Sequence, residues 1–231
     1  MSNKVILIVL KMSILNNYKK LIQNIKATCK ECNRNYESIN IVAVSKQQGY
    51  EKIKSLCEVG HSCFGENRLD EAVFKWSKTD RYKTRLHFIG ALQSKKIKDI
   101  IKNFDVIETL DTESSAQKLA LFKNRNIKIP EIYIQINIGQ ENQKRGINPS
   151  DVSEFLNICK NKYGLNISGA MCIPPINKNP KKYFKDMLNI CTKESLKKIS
   201  MGMSNDFKEA IIYGANNIRI GSLLFGKREK T

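Results

Sequence analysis

The chain has 231 residues, enough for a full hydrophobic core and close to the size of a single α/β barrel. Forty Lys+Arg against 22 Asp+Glu give a formal net charge of +18. The lysines are spread along the whole chain, without an Arg-rich block, zinc-finger spacing or an aromatic-basic pattern, so a specific nucleic-acid reader is not indicated. Seven cysteines, an odd number, and no apolar run of membrane length argue against a disulfide scaffold and a membrane span, and for reduced thiols in the cytoplasm.

Residues 5–10 (VILIVL) are too short a run for a membrane span or a usual signal peptide, and Met12 follows at once. Residues 1–11 are therefore expected to be an extension or the product of an upstream start, with the domain proper at 12–231. A helix is predicted near 13–36. It carries Cys29-Lys30-Glu31-Cys32, a lone CxxC that two histidines in the whole chain cannot complete as a zinc site. From there, short apolar runs alternate with helical stretches. Strands are predicted at 40–45, 62–65, 86–89, 105–109, 131–137, 167–171, 198–201 and 217–220. Helices are predicted near 50–59, 67–78, 94–103, 112–124, 150–162, 180–190 and 205–213. Asp111-Thr112 and Pro149-Ser150-Asp151 read as helix starts. Gly60, Gly164 and Gly214 sit where helices should stop. Eight strands alternating with helices predict an α/β fold, a single (β/α)8 TIM barrel with an extra N-terminal helix. An open doubly wound sheet is the alternative.

In parallel α/β proteins ligands bind at the C-terminal ends of the strands. The first strand, IVAVSK, delivers Lys46 there. A lysine partly removed from water is shifted toward its neutral form, and a neutral amine can attack an aldehyde. Asn67, at the second strand's end, is a pocket candidate or only a helix cap. His87 is a site candidate or a hydrogen-bonded core histidine. Met171 is pocket lining or core. The loops after strands seven and eight are the usual phosphate holders of barrels. Here they carry Ser200, Gly202 and Ser204, then Gly221 and Ser222.

The segments IVAVSK (41–46), FGENRLDEA (64–72), HFIGALQSKKIK (87–98), IETLDTESSAQKL (107–119), IQINIGQENQKRGI (134–147), ISGAMCIPP (167–175), SMGMSNDFKEAI (200–211) and RIGSLLFG (219–226) occur in an order that resembles the pyridoxal 5'-phosphate (PLP) homeostasis protein family. These proteins are similar to the N-terminal domain of alanine racemase. The resemblance implies PLP as cofactor, held as a Schiff base on Lys46. It implies Ser200, Gly221 and Ser222 at the phosphate with Ser204 nearby, Arg219 facing the pyridine nitrogen, and Asn67, His87 and Met171 around the pocket. It departs at Leu86, where an aromatic is common, and at Ala91 and Lys95, where many members have His and Asn. Those positions bear on partner or substrate contacts at the rim.

An arginine at the pyridine nitrogen is always charged and only donates, so it favours an unprotonated ring and a weak electron sink. Five residues follow Gly226, which leaves no room for a second domain with a second base, and none of the eight tyrosines lies in a cofactor motif. Efficient racemisation is therefore expected to be absent. The expected role is intracellular PLP (vitamin B6) and amino-acid homeostasis by a monomer that hands the cofactor to PLP-dependent apoenzymes. A weak PLP-dependent amino-acid racemase is the alternative. Nucleic-acid binding, suggested by charge alone, comes third.

Overall fold

The structure is a computed structural model describing residues 3–77 and 83–226, with side chains from residue 8 onward. Eight strands pair in parallel in one closed ring, each with its neighbour in the chain and the last with the first. They are β1 (Asn40–Val44), β2 (Cys63–Glu66), β3 (Arg85–Phe88), β4 (Val106–Leu110), β5 (Glu131–Ile136), β6 (Ile167–Cys172), β7 (Lys198–Ser200) and β8 (Asn217–Ile220). The closing pair sets Asn40 opposite Asn217 and Val42 opposite Arg219. The predicted (β/α)8 barrel is what the chain forms.

Period-two alternation explains the two faces of each strand. In β5, Ile132, Ile134 and Ile136 join the apolar layer between strands and helices, while Glu131, Tyr133 and Gln135 take the lumen side. Val42, Val44, Cys63, Val106 and Met171 are buried but stand outside that layer, because they too face inward. The lumen thus mixes apolar and charged side chains, and the main core is the shell around the barrel.

That shell is closed by α1 (Asn3–Glu31), α2 (Tyr50–Cys57), α3 (Leu69–Trp76), α4 (Ile97–Asn103), α5 (Glu113–Asn124), α6 (Val152–Asn157), α7 (Pro180–Lys193), α8 (Phe207–Ile212) and α9 (Ser222–Phe225). Thr112 caps α5, its hydroxyl accepting from the Ser115 N–H. Gly60, Gly164 and Gly214 end their helices with φ of 83°, 60° and 96°, where a side chain would be strained. The 149–162 stretch is a 3₁₀ turn, then α6, then a π turn, rather than one regular helix.

α1 runs unbroken from Asn3, and Ile14, Leu21, Ile25 and Thr28 form one buried stripe along it. It lies against α2, α8 and α9, and Lys11 pairs with Glu58 at 2.5 Å. The short helix α9 was not predicted, being four residues long and hidden within RIGSLLFG. None of the described helices is long and apolar enough to cross a membrane.

Candidate cofactor site at the C-terminal rim

Because every strand runs the same way, all eight C-terminal ends meet at one rim. Lys46 follows β1 there, half-buried, in a turn whose flanks are tightly held. The Ser45 N–H donates to Gly65 O (3.1 Å), and the Ser45 hydroxyl to Glu66 Oε1 (2.7 Å). Lys75 Nζ donates to Ser45 O (2.7 Å). On the other side Gln47, at φ 59°, donates its N–H to Glu71 Oε1 (2.5 Å).

One buried ion cluster organises these contacts. Lys75 Nζ lies 2.8 Å from both Glu66 Oε1 and Glu71 Oε1, with Glu66 fully buried. The Trp76 indole N–H also reaches Glu66 Oε1, at 3.3 Å. Burial opposes ionisation of Glu71, but Lys75, the Gln47 N–H and Arg68 outweigh it and lower its pKa. The sequence reading missed Glu66, Glu71 and Lys75, although all three lie in FGENRLDEAVFK. Their signal was a carboxylate in an apolar strand followed by a helix carrying its counter-ion.

Asn67 leaves β2 at the rim, half-buried. Its backbone is fixed by close approach of Gly90, where a Cβ would fall 2.0 Å from Asn67 O. Met171 is buried on the lumen side of β6. The β7 and β8 loops meet: Leu223 N–H donates to Ser204 Oγ (3.3 Å), and the Met203 N–H to Asp206 Oδ1 (2.6 Å). Gly202 is needed there, with φ 90° and no room beside Ala210 Cβ. Gly221 has space, its nearest neighbour being Val44 Cβ at 3.6 Å, and Ser222 opens α9 in the open.

Arg219 is 4% exposed and cannot swing. It donates to Ser200 Oγ (2.7 Å) and Cys172 O (2.8 Å) and lies 3.8 Å from Glu108 Oε2. Ser200 therefore differs from its expected place among the phosphate loops. It is fully buried, its hydroxyl donates to Glu108 Oε2 (2.7 Å), and it accepts from Arg219. Residue 200 ends a strand on its inward face, so its hydroxyl meets the lumen carboxylate instead of the loop.

His87 is drawn the same way. Its Nδ1 is 2.6 Å from Glu108 Oε1, and its ring lines a cavity with the residues that begin the strands, at the opposite mouth. Burial disfavours its charged form, but Cys63 and Glu108 outweigh that and raise its pKa to about 9. It touches the rim only through Glu108, Ser200 and Arg219. Glu108, unremarked in the sequence beyond being an acid inside VIETL, is the hub of this chain.

Lys46, Asn67, Met171, Ser204, Arg219, Gly221 and Ser222 thus share one end of the barrel. The donor set is an amine on β1, a fixed guanidinium on β8, and hydroxyls with open backbone after β7 and β8. It suits a ligand with an electrophilic carbon, a ring acceptor and an anionic group. Among the described residues no group of three His, Cys, Asp or Glu could hold a metal ion.

Comparison with known proteins gives this arrangement a lineage. The family model for the alanine racemase N-terminal domain matches residues 17–229. The pyridoxal phosphate homeostasis protein of Haemophilus influenzae is 33% identical over 229 residues, covering 94% of this chain and 97% of that protein. Its counterpart in Schizosaccharomyces pombe is 34% identical over 206 residues, 84% of this chain and 86% of that one. The solved structure of PipY from Synechococcus elongatus with PLP bound is 27% identical, with a TM-score of 0.74 over 88% of this chain and 100% of that one. On sequence and fold together, this chain belongs to the pyridoxal phosphate homeostasis protein family.

Proposed function

We propose that this chain binds PLP at the C-terminal rim as a Schiff base on Lys46 and serves intracellular PLP and amino-acid homeostasis without efficient catalysis. The observation that carries the reading is the fixed Lys46 turn sharing a rim with the meeting β7 and β8 loops and a pinned Arg219. A relative of the same family, PipY, has a structure with PLP bound.

PLP, when bound, supplies an aldehyde open to amines and an electron-withdrawing ring. Lys46 gives the amine, and the clamp on Ser45 and Gln47 holds its backbone, so less ordering is needed on binding. Ser204, Gly221 and Ser222 receive the phosphate with hydroxyl and backbone donors. Arg219 faces the ring nitrogen and, being unable to accept a proton, keeps that nitrogen unprotonated. Asn67 and Met171 border the ring. A weak electron sink suits a carrier better than a racemase. Monomeric state, a cytoplasmic setting and delivery to PLP-dependent apoenzymes complete the reading.

The test is a visible absorption titration with PLP, followed by borohydride trapping and peptide mapping. A band trapped on Lys46 is expected. Trapping scattered over surface lysines, or no band, would end the proposal. Lys46-dependent loss of α-deuterium from amino acids at turnover rates would move the assignment to an enzyme.

A further inference from the structure

The opposite mouth of the barrel holds a feature that the PLP reading leaves unused. A cavity of about 320 Å³ opens there, lined by Asn40, Arg85, His87, Tyr133, Lys198 and Asn217 among others. Four of these six are the first residues of their strands, and His87 and Tyr133 are each the third. The cavity therefore opens at the mouth opposite the rim, with His87 at its inner end.

Its charge is unbalanced. Arg85 and Lys198 share one carboxylate, Glu131, with Lys198 Nζ 2.6 Å from Oε1 and Arg85 on Oε2. Two cations on one anion leave a surplus positive charge. Both side chains are nearly half exposed, at 48% and 43%, and so stand at the entrance. The floor is different. His87 is 1% exposed, its Nδ1 is taken by Glu108, and its Nε2 is buried with the Cys63 thiol as its neighbour and no well-formed hydrogen bond among the described residues. Held as an imidazolium beside Glu108, it carries a proton on that nitrogen as well. A buried ring nitrogen whose hydrogen-bonding capacity is unfilled is uncommon and has room for a further partner. The Tyr133 hydroxyl accepts from Asn217 Nδ2 (3.4 Å), which leaves its own proton to donate.

We propose that this N-terminal mouth is a second binding site, for a small metabolite bearing a carboxylate or phosphate oxyanion. Arg85 and Lys198 receive it at the entrance, and the His87 Nε2–H meets its oxygen at the floor. Carboxylate and phosphate present the same chemistry to these donors, and the experiment separates them. The site does not depend on the PLP reading.

The chain contains two histidines, so proton NMR of the imidazole Cε1–H region reports on His87 with little overlap. His61→Gln assigns the pair. The protein, with saturating PLP and without it, is titrated at constant ionic strength with inorganic phosphate and separately with succinate. A saturable shift of the His87 resonance is expected with at least one probe, half-complete below about 10 mM. The shift should persist with PLP present and in Lys46→Ala. It should weaken about fivefold or more in Arg85→Gln/Lys198→Met. Should that double variant not fold, Lys198→Met alone, at an exposed side chain, gives the same reading. The better probe identifies the class. No saturable shift with either probe, an equal shift with chloride, or a shift abolished by PLP would overturn the second site.

Discussion

Lys75→Met is the sharpest test of how the Lys46 turn is held. The ammonium makes three contacts, to Glu66 Oε1 (2.8 Å), Glu71 Oε1 (2.8 Å) and Ser45 O (2.7 Å), with its side chain 8% exposed. Methionine keeps much of the volume and removes the charge. Glu66 is then left fully buried without its counter-ion, and its Oε2 already has no partner among the described residues. Removing one member of a buried pair costs about 3–5 kcal/mol. For a chain of this length that lowers Tm by roughly 6–20 °C. Urea unfolding followed by circular dichroism measures the loss, with an unchanged m-value required for a two-state reading. The same change frees the Ser45 carbonyl, so borohydride trapping on Lys46 at limiting PLP should fall as well. Lys75→Met/Glu66→Gln should recover part of the stability, since a neutral amide is cheaper to bury than a carboxylate. A loss below about 1 kcal/mol in the single variant, or no recovery in the double, would refute the claim that these ions form a structural clamp.

Four further outcomes follow from the geometry. Lys46→Ala should abolish the trapped product while leaving weaker, non-covalent PLP binding, measured by fluorescence quenching; full-strength binding would remove Lys46 from the site. Ser204→Ala should weaken PLP binding by about 1–3 kcal/mol with little change in Tm. Ser200→Ala should do the reverse, costing about 1–3 kcal/mol of stability because Glu108 and Arg219 each lose a partner; the opposite pattern would return Ser200 to the phosphate. Acid stability should depend on His61, whose pKa burial lowers to about 4 despite its bond to Cys63 O. A folded-state pKa below the free value means the unfolded chain binds the extra proton. Stability therefore falls from about pH 6.5 to about pH 4, by roughly 3 kcal/mol. His61→Gln should flatten that limb in urea titrations at several pH values, and an unchanged slope would show His61 to be solvated.

The strands and most helices were legible because barrel strands carry a strong local signal. The residues of VAV, IYIQI and NIRI alternate or run apolar between glycine and polar stops, and the observed strand ends differ from the expected ones by a residue or so. Lys46, Asn67, Ser204, Gly221 and Ser222 were legible because a parallel barrel sends every strand end to one rim. Facing was harder to read. Whether Ser200 joins the loop or the lumen depends on one residue of register at the end of β7, where a slip reverses the side chain. His87 was placed near the cofactor, yet its level in the barrel is set by pairing opposite Gly65 and Val106, a relation among three distant segments. The Glu66–Lys75–Glu71 cluster was illegible for a similar reason. In sequence it is one acid at the end of a strand and two charges on an amphipathic helix, and only packing of α3 against β2 brings them together and buries them.

Glu108 shows why the lumen chemistry matters to the rim. Burial opposes its ionisation, but His87 foremost, then Arg219 and the Ser200 hydroxyl, outweigh burial and lower its pKa. It is thus a carboxylate between two cations, close to His87 at 2.6 Å and farther from Arg219 at 3.8 Å. One negative charge cannot neutralise both. The nearer imidazolium takes most of the compensation, and Arg219 keeps its surplus at the C-terminal end, where water is scarce and the field is strong. Were residue 87 neutral, Glu108 would offset Arg219 alone, and the net charge of this buried group would fall by one. The histidine at the far mouth therefore acts on the proposed cofactor site without touching it. Its charge is compensated by the same Glu108 that faces the guanidinium, three hydrogen bonds away through Glu108 and Ser200.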